Sequence, residues 1–182
     1  MSLINKEKGL TTAKGIALVG IMAATLECAK LVLSFLPNIE VVTLLCALYG
    51  YVFGIYGVIA TAVFVCIEPL IWGVGSWIIS YFIHWPLVAL IFMLLGRAGV
   101  KKRIPLTAIA VGLTFGFGLL SSVIDCGFYL GFNENYFKNL PIYYARGAIF
   151  YAVHIFTNLV VFPTLFPFLS KNLDRIKQIL HL

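Results

Sequence analysis

The chain has 182 residues, 62% of them hydrophobic and only 11% charged, with a mean hydropathy of +1.02. A globular domain carries roughly a quarter charged residues and a helical span takes ~20 apolar ones, so this is an integral membrane protein with room for five or six crossings and for no soluble catalytic or nucleotide-binding domain. The net charge of +6 points to membrane orientation and away from a nucleic-acid partner, because the basic residues are sorted along the chain.

Lys6, Lys8 and Lys14 precede the first apolar stretch, Arg97, Lys101, Lys102 and Arg103 follow the fourth, and Lys171, Arg175 and Lys177 close the chain, together ten of the 13 basic residues. A six-span topology puts all three groups on one side, and the positive-inside rule makes that side the cytoplasm, with both termini in. The expected fold is an all-α, compact bundle of six transmembrane helices forming a single domain, with approximate spans 15–36, 41–53, 55–71, 76–96, 106–130 and 142–168. The first apolar run continues past Glu27 and Lys30 without a small-x-small cleavage site, so it reads as a retained helix and not as a signal peptide.

Small residues Gly20, Ala24 and Cys28 recur every four residues on the first span. Such a row lets a second helix approach closely, either within this chain or in a partner membrane protein. Glu27 and Lys30 stand i, i+3 on the same helix, where they either pair, lowering the cost of placing charge at depth, or contact a ligand. Pro37 in LPNIE, residues 36–40, ends the helix in an outer loop. The segment 41–53 is short for an upright crossing and runs into Gly50, Gly54 and Gly57, which suit a tight inner turn. The third span rises to Glu68 and Pro69, where the proline is expected to break it.

The next stretch, EPLIWGVGSWIISYFIHWP at 68–86, carries the unusual chemistry, and all three tryptophans of the chain fall within it. Trp77, Tyr81, His84 and Trp85 share one helix face. Trp77 and Tyr81 alone fit an interfacial aromatic belt, whereas His84, deeper on the same face, argues for a lined cavity. Glu68 is an acid at membrane depth, a position usually tied to function.

On the fifth span Gly112, Gly116 and Gly118 permit tight packing, and Ser122, Asp125 and Tyr129 share one face. Two roles are open to Asp125: ligand contact, or pairing with Arg146. The polar stretch 131–141 reads as an outer loop able to act as a lid. The last span carries a polar-aromatic stripe, Tyr143, Tyr151, His154 and Asn158, and Pro163 and Pro167 are expected to bend or end it. Cys28, Cys46, Cys66 and Cys126 show no C-x-x-C pairing and no ligand-spaced histidine, so they read as small packing residues and not as a disulfide or metal framework.

The chain has no Gly-rich phosphate loop, no H-E-x-x-H and no G-x-S-x-G. No ATP-driven motor is therefore encoded here, and no metal or cofactor is called for. Aromatic walls with a few amide, imidazole and carboxylate groups suit a small, ring-bearing polar molecule. The predicted ligand contacts are Glu68, Trp72, Trp77, Tyr81, His84, Asp125, Tyr129, Arg146, Tyr151, His154 and Asn158. Two other readings stand beside this one: an intramembrane enzyme using Glu68 with His84 or His154, and a ligand-free assembly subunit whose polar stripe is a packing network.

Over essentially its whole length, with about 180 residues, six expected spans, small residues on the first helix, the LPNIE loop before a short apolar segment, and the 68–86 stretch, the chain resembles the substrate-binding S component of an energy-coupling factor (ECF) vitamin transporter. The resemblance implies a multi-pass protein of the prokaryotic plasma membrane that captures a vitamin or its precursor in its outer half. It also implies docking through the first helices onto a transmembrane coupling protein driven by two cytoplasmic ATPases. The family's docking pattern is alanines four apart; here Ala13-x-x-x-Ala17 matches it, while the helix interior departs from it with Gly20, Ala24 and Cys28. Two acids favour a neutral or cationic heterocycle, pyridoxine-like or hydroxymethylpyrimidine-like, whereas Arg146 with His154 favours an anion such as pantothenate.

Overall fold

The computed structural model describes residues 12–36 and 39–180. Lys6 and Lys8 of the basic leading segment, and Pro37 and Asn38 of the expected outer loop, lie outside the described residues. The described chain forms six helices: α1 Ala13–Leu33, α2 Val42–Phe53, α3 Ile55–Trp72, α4 Trp77–Arg97, α5 Arg103–Leu130 and α6 Tyr136–Ile179. Five of them are long and apolar enough to cross a membrane, and the exception is α2. The protein is thus a helical, membrane-embedded chain.

The short helix is the axis of the bundle. At 1.5 Å per residue, the 12 residues of α2 reach about 18 Å against a hydrocarbon core of about 30 Å, so α2 cannot cross alone. Yet it packs against α1, α3, α4 and α6 and touches α5, and ten of its residues, among them Leu44, Cys46, Leu48 and Tyr49, are buried. A segment with no polar face has to be surrounded, which explains a helix apolar all round at the centre. Close approach depends on glycine: a Cβ on Gly50 would run into the backbone carbonyl of Ala89 on α4, and one on Gly57 into the backbone of Tyr49. Gly54, at φ 65, makes the one-residue turn between α2 and α3.

Because the connections are short, successive helices reverse direction. Tyr51 Oη donates to the carbonyl of Val100 at 2.9 Å, and Lys177 Nζ donates to the carbonyl of Val52 at 2.6 Å. These bonds tie the end of α2, the α4–α5 connection and the end of α6 together, and so gather the basic residues of 97–103 and of the tail at one end of the bundle. The opposite end holds the segment after α1, the 73–76 turn and the 131–135 connection.

Four expectations change. Pro69 does not break α3, because a proline one turn from a helix end forfeits a single backbone bond; the helix stops at Gly73, φ 79. The expected 131–141 lid contracts to 131–135, since α6 begins at Tyr136, whose hydroxyl donates to the carbonyl of Val123 at 3.0 Å. Pro163 and Pro167 do not end α6, which runs 44 residues through the basic tail. Between them the Thr164 hydroxyl donates back to the carbonyl of Val160 at 2.6 Å, four residues earlier on the same helix. Finally, Cys46 and Cys126 are buried as packing residues, but Cys28 and Cys66 are exposed on the helix surface.

Candidate functional site

Of the cavities at the end of the bundle away from the basic connections, two flank the aromatic stripe of α4. Trp77, Tyr81 and Trp85 form a stair of rings with centroids 5.0 and 5.4 Å apart, both steps edge-on, as their spacing of four requires. Trp85 stacks on Phe117 of α5 at 5.8 Å, which fixes the stair against the bundle.

The first cavity, about 310 Å³, lies between the end of α1, residues 34–36 and 39–40, α3, α4 and α6. Its rings are Trp72, Tyr81, Trp85, Phe64 and Phe150, and its polar groups are Lys30, Ser34, Glu40 and His154. Lys30 Nζ is ion-paired with Glu68. The same ammonium sits 4.9 Å from the ring centroid of Trp72, 5.2 Å from Tyr81 and 5.7 Å from Trp77. Glu40 accepts from the amide of Thr43 at 2.9 Å and from its hydroxyl at 2.7 Å, capping the otherwise uncapped start of α2. That holds its Oε1 4.0 Å from Nδ1 of His154, whose ring packs on Phe150 at 4.1 Å. In Trp85 the indole nitrogen is buried without a hydrogen-bond partner, a donor left for something other than the chain.

The second cavity, about 620 Å³, lies between α4, α5 and α6 and is lined by Ser76, Trp77, Asp125, Tyr129, Tyr143, Arg146 and Tyr151. Ser76 Oγ donates to Asp125 Oδ1 at 2.6 Å. Arg146 lies 5.5 Å over the ring of Tyr143, and among the described residues it makes no ion pair with Asp125.

The predicted ligand contacts therefore divide. Trp72, Tyr81 and His154 line the first cavity, with Glu68 behind it through Lys30. Trp77, Asp125, Tyr129, Arg146 and Tyr151 line the second. Arg146 and His154, which sequence alone groups as an anion site, are on different cavities.

His84 and Asn158 line neither. His84 is buried against the rings of Trp85 and Phe117, each 4.8 Å away. Asn158 is fully buried, and its Nδ2 donates to Thr114 Oγ1 of α5 at 2.9 Å. The polar stripe on α6 is thus shared between a cavity wall and a helix-to-helix bond.

Sequence reasoning missed Glu40 and Trp85 as cavity residues and left Lys30 open between an ion pair and a ligand contact. The expected Glu27–Lys30 pair is replaced by Lys30–Glu68, because α1 packs against α3 and a lysine in the last turn of α1 reaches across to it. An acid two residues before an apolar helix start was the signal for Glu40.

The predicted docking residues Ala13, Ala17, Gly20, Ala24 and Cys28 are all exposed, on the side of α1 turned away from the bundle, and a Cβ on Gly20 would meet nothing within 4 Å. Packing among the described residues therefore does not use that row. No protein-family model, no curated protein and no solved structure matches the chain.

Proposed function

We propose that this chain is the substrate-binding S component of an ECF-type vitamin transporter. It captures a small ring-bearing molecule from outside in the cavity walled by Trp72, Tyr81 and Trp85, for uptake driven by partner subunits. The observation that carries this reading is the first cavity itself: a space of about 310 Å³, within the range of small-molecule sites, at the end of the bundle opposite the basic connections. Its aromatic faces suit a ring, and its few polar groups suit the ring's polar edge.

With Arg146 separated from His154, the arrangement favours a neutral or cationic heterocycle over an anion such as pantothenate. The exposed small-residue row on α1 supports docking onto a coupling membrane protein, and a chain without a phosphate-binding loop leaves ATP hydrolysis to the two ATPases of that module. Two contacts weigh toward binding over the alternative of an enzyme that uses Glu68 with His84 or His154: Glu68 is engaged by Lys30, and His154 faces Glu40.

The test is equilibrium binding of a vitamin panel to the purified chain, followed by the fluorescence of its three tryptophans. Saturable binding that is lost in Trp72→Ala supports the proposal. Absence of binding across the panel, or turnover of a compound by the chain alone, overturns it.

A further inference from the structure

We infer that Lys30 is a tethered occupant of an aromatic cage built for the positive end of the ligand, so that the ligand is a cation, bearing an ammonium or a protonated ring nitrogen, and competes with Lys30 for Glu68. This rests on the cavity proposed above as the binding site and names the chemical class that enters it.

The cage is complete around the ammonium. Three rings, Trp72, Tyr81 and Trp77, stand 4.9, 5.2 and 5.7 Å from it, within the distance at which an aromatic face attracts a cation. Three rings around one charge, with a carboxylate closing the cage, is the arrangement that recognises ammonium ligands. Glu68 is fully buried, and while its Oε2 receives Lys30, its Oε1 has no partner. Glu27, on α1, is also buried, and its carboxyl lies within reach of that of Glu68.

Glu40 adds a third carboxylate at the cavity's other side. Against these three acids stands one lysine. Beside the ion pair, Glu68 Oε1 and the Trp85 indole N–H have no hydrogen-bond partner among the described residues. An excess of buried carboxyl groups over cations favours a ligand that brings positive charge and disfavours an anion.

Lys30 is placed to yield. It occupies the last turn of α1, its side chain is 24% exposed and lines the cavity, and a lysine swings a compact charge on a flexible stem. A cation that enters takes its place over the rings and at Glu68, while the displaced ammonium turns into the cavity mouth.

The experiment uses the full chain in lipid nanodiscs, read by tryptophan fluorescence, with two probes of one shape: choline, which is charged, and 3,3-dimethylbutan-1-ol, which is not. Lys30→Met should bind choline at least tenfold more tightly than the wild type, Lys30→Arg should show no gain, and the neutral alcohol should bind all three proteins within twofold of one another. Choline binding in Lys30→Met no tighter than in the wild type overturns the inference, as does an equal gain for the neutral alcohol. So does loss of a panel ligand's binding in Lys30→Met, which would make Lys30 an anion contact.

Should Lys30→Met fail to fold, the wild type gives the answer: choline should raise the acylation of Lys30 by an amine-reactive ester, read by peptide mass, and an unchanged yield across the titration overturns the inference. The two readings fail separately. A vitamin that binds through Trp72 without any Lys30→Met gain for choline sinks the tethered cation alone; a choline gain with no vitamin bound sinks the transport reading alone.

Discussion

Lys30, in the last turn of the first helix, is ion-paired with Glu68 on the third, 38 positions further along the chain. The pair joins α1 to the bundle at the cavity wall. Removing one member of a buried pair strands the other, a loss of several kcal/mol when both are fully buried; with Lys30 partly exposed the estimate falls to about 2 kcal/mol. Glu68→Ala should therefore lower thermal stability by about that amount. The double replacement Lys30→Met with Glu68→Leu, which removes both members of the pair and leaves only Glu27 there, should recover part of it. A thermal-shift series on the purified proteins checks both.

The central position of α2 depends on Gly50. Its backbone lies against that of Ala89 so closely that any Cβ has to push α2 and α4 apart, and overpacking of that kind costs about 1–3 kcal/mol or more. Gly50→Val should give a protein that expresses poorly or unfolds well below the wild type. Gly112→Val is the matched control, since a Cβ there meets nothing within 4 Å, and it should be close to neutral.

Asn158 joins α6 to α5 through Thr114. Hydrogen bonds between membrane helices are worth about 0.6 kcal/mol on average, so Asn158→Ala should lower stability by about that much and leave ligand affinity unchanged. Paired unfolding and binding curves decide. A tenfold loss of affinity with unaltered stability would return Asn158 to the binding site.

The exposed row on α1 makes a prediction of the opposite kind. Ala24→Leu adds bulk where nothing in the chain stands in the way, so the isolated protein should keep its stability and its ligand. Co-purification with a coupling membrane protein and its ATPases should fall several-fold. Unchanged co-purification would take this face out of the docking account.

Much of the architecture is legible in the sequence, and the parts that are not have physical reasons. The helical segments follow from apolar length, and the face shared by Trp77, Tyr81 and Trp85 follows from their spacing, because both are local properties. What spacing cannot supply is the neighbour. Glu27 is three residues from Lys30, yet the lysine pairs with Glu68 because α1 lies against α3.

Asp125 and Arg146 look like partners along the chain but line a common cavity without pairing. His84 shares the stair's face in sequence but turns toward Phe117, since a helix face is wider than a cavity wall. The helix-breaking strength read into Pro69, Pro163 and Pro167 is that of an isolated helix, and neighbours in a bundle overrule it.

The most direct test of the central claim is the mass of the molecule that the chain carries through gentle purification from its own membrane. The account predicts one small, ring-bearing compound with a cationic nitrogen, retained at about one per chain by the wild type and absent from Trp72→Ala. A wild-type protein that carries no such compound and binds none of a vitamin panel, or one that retains an anion lost on replacement of Arg146, would contradict it.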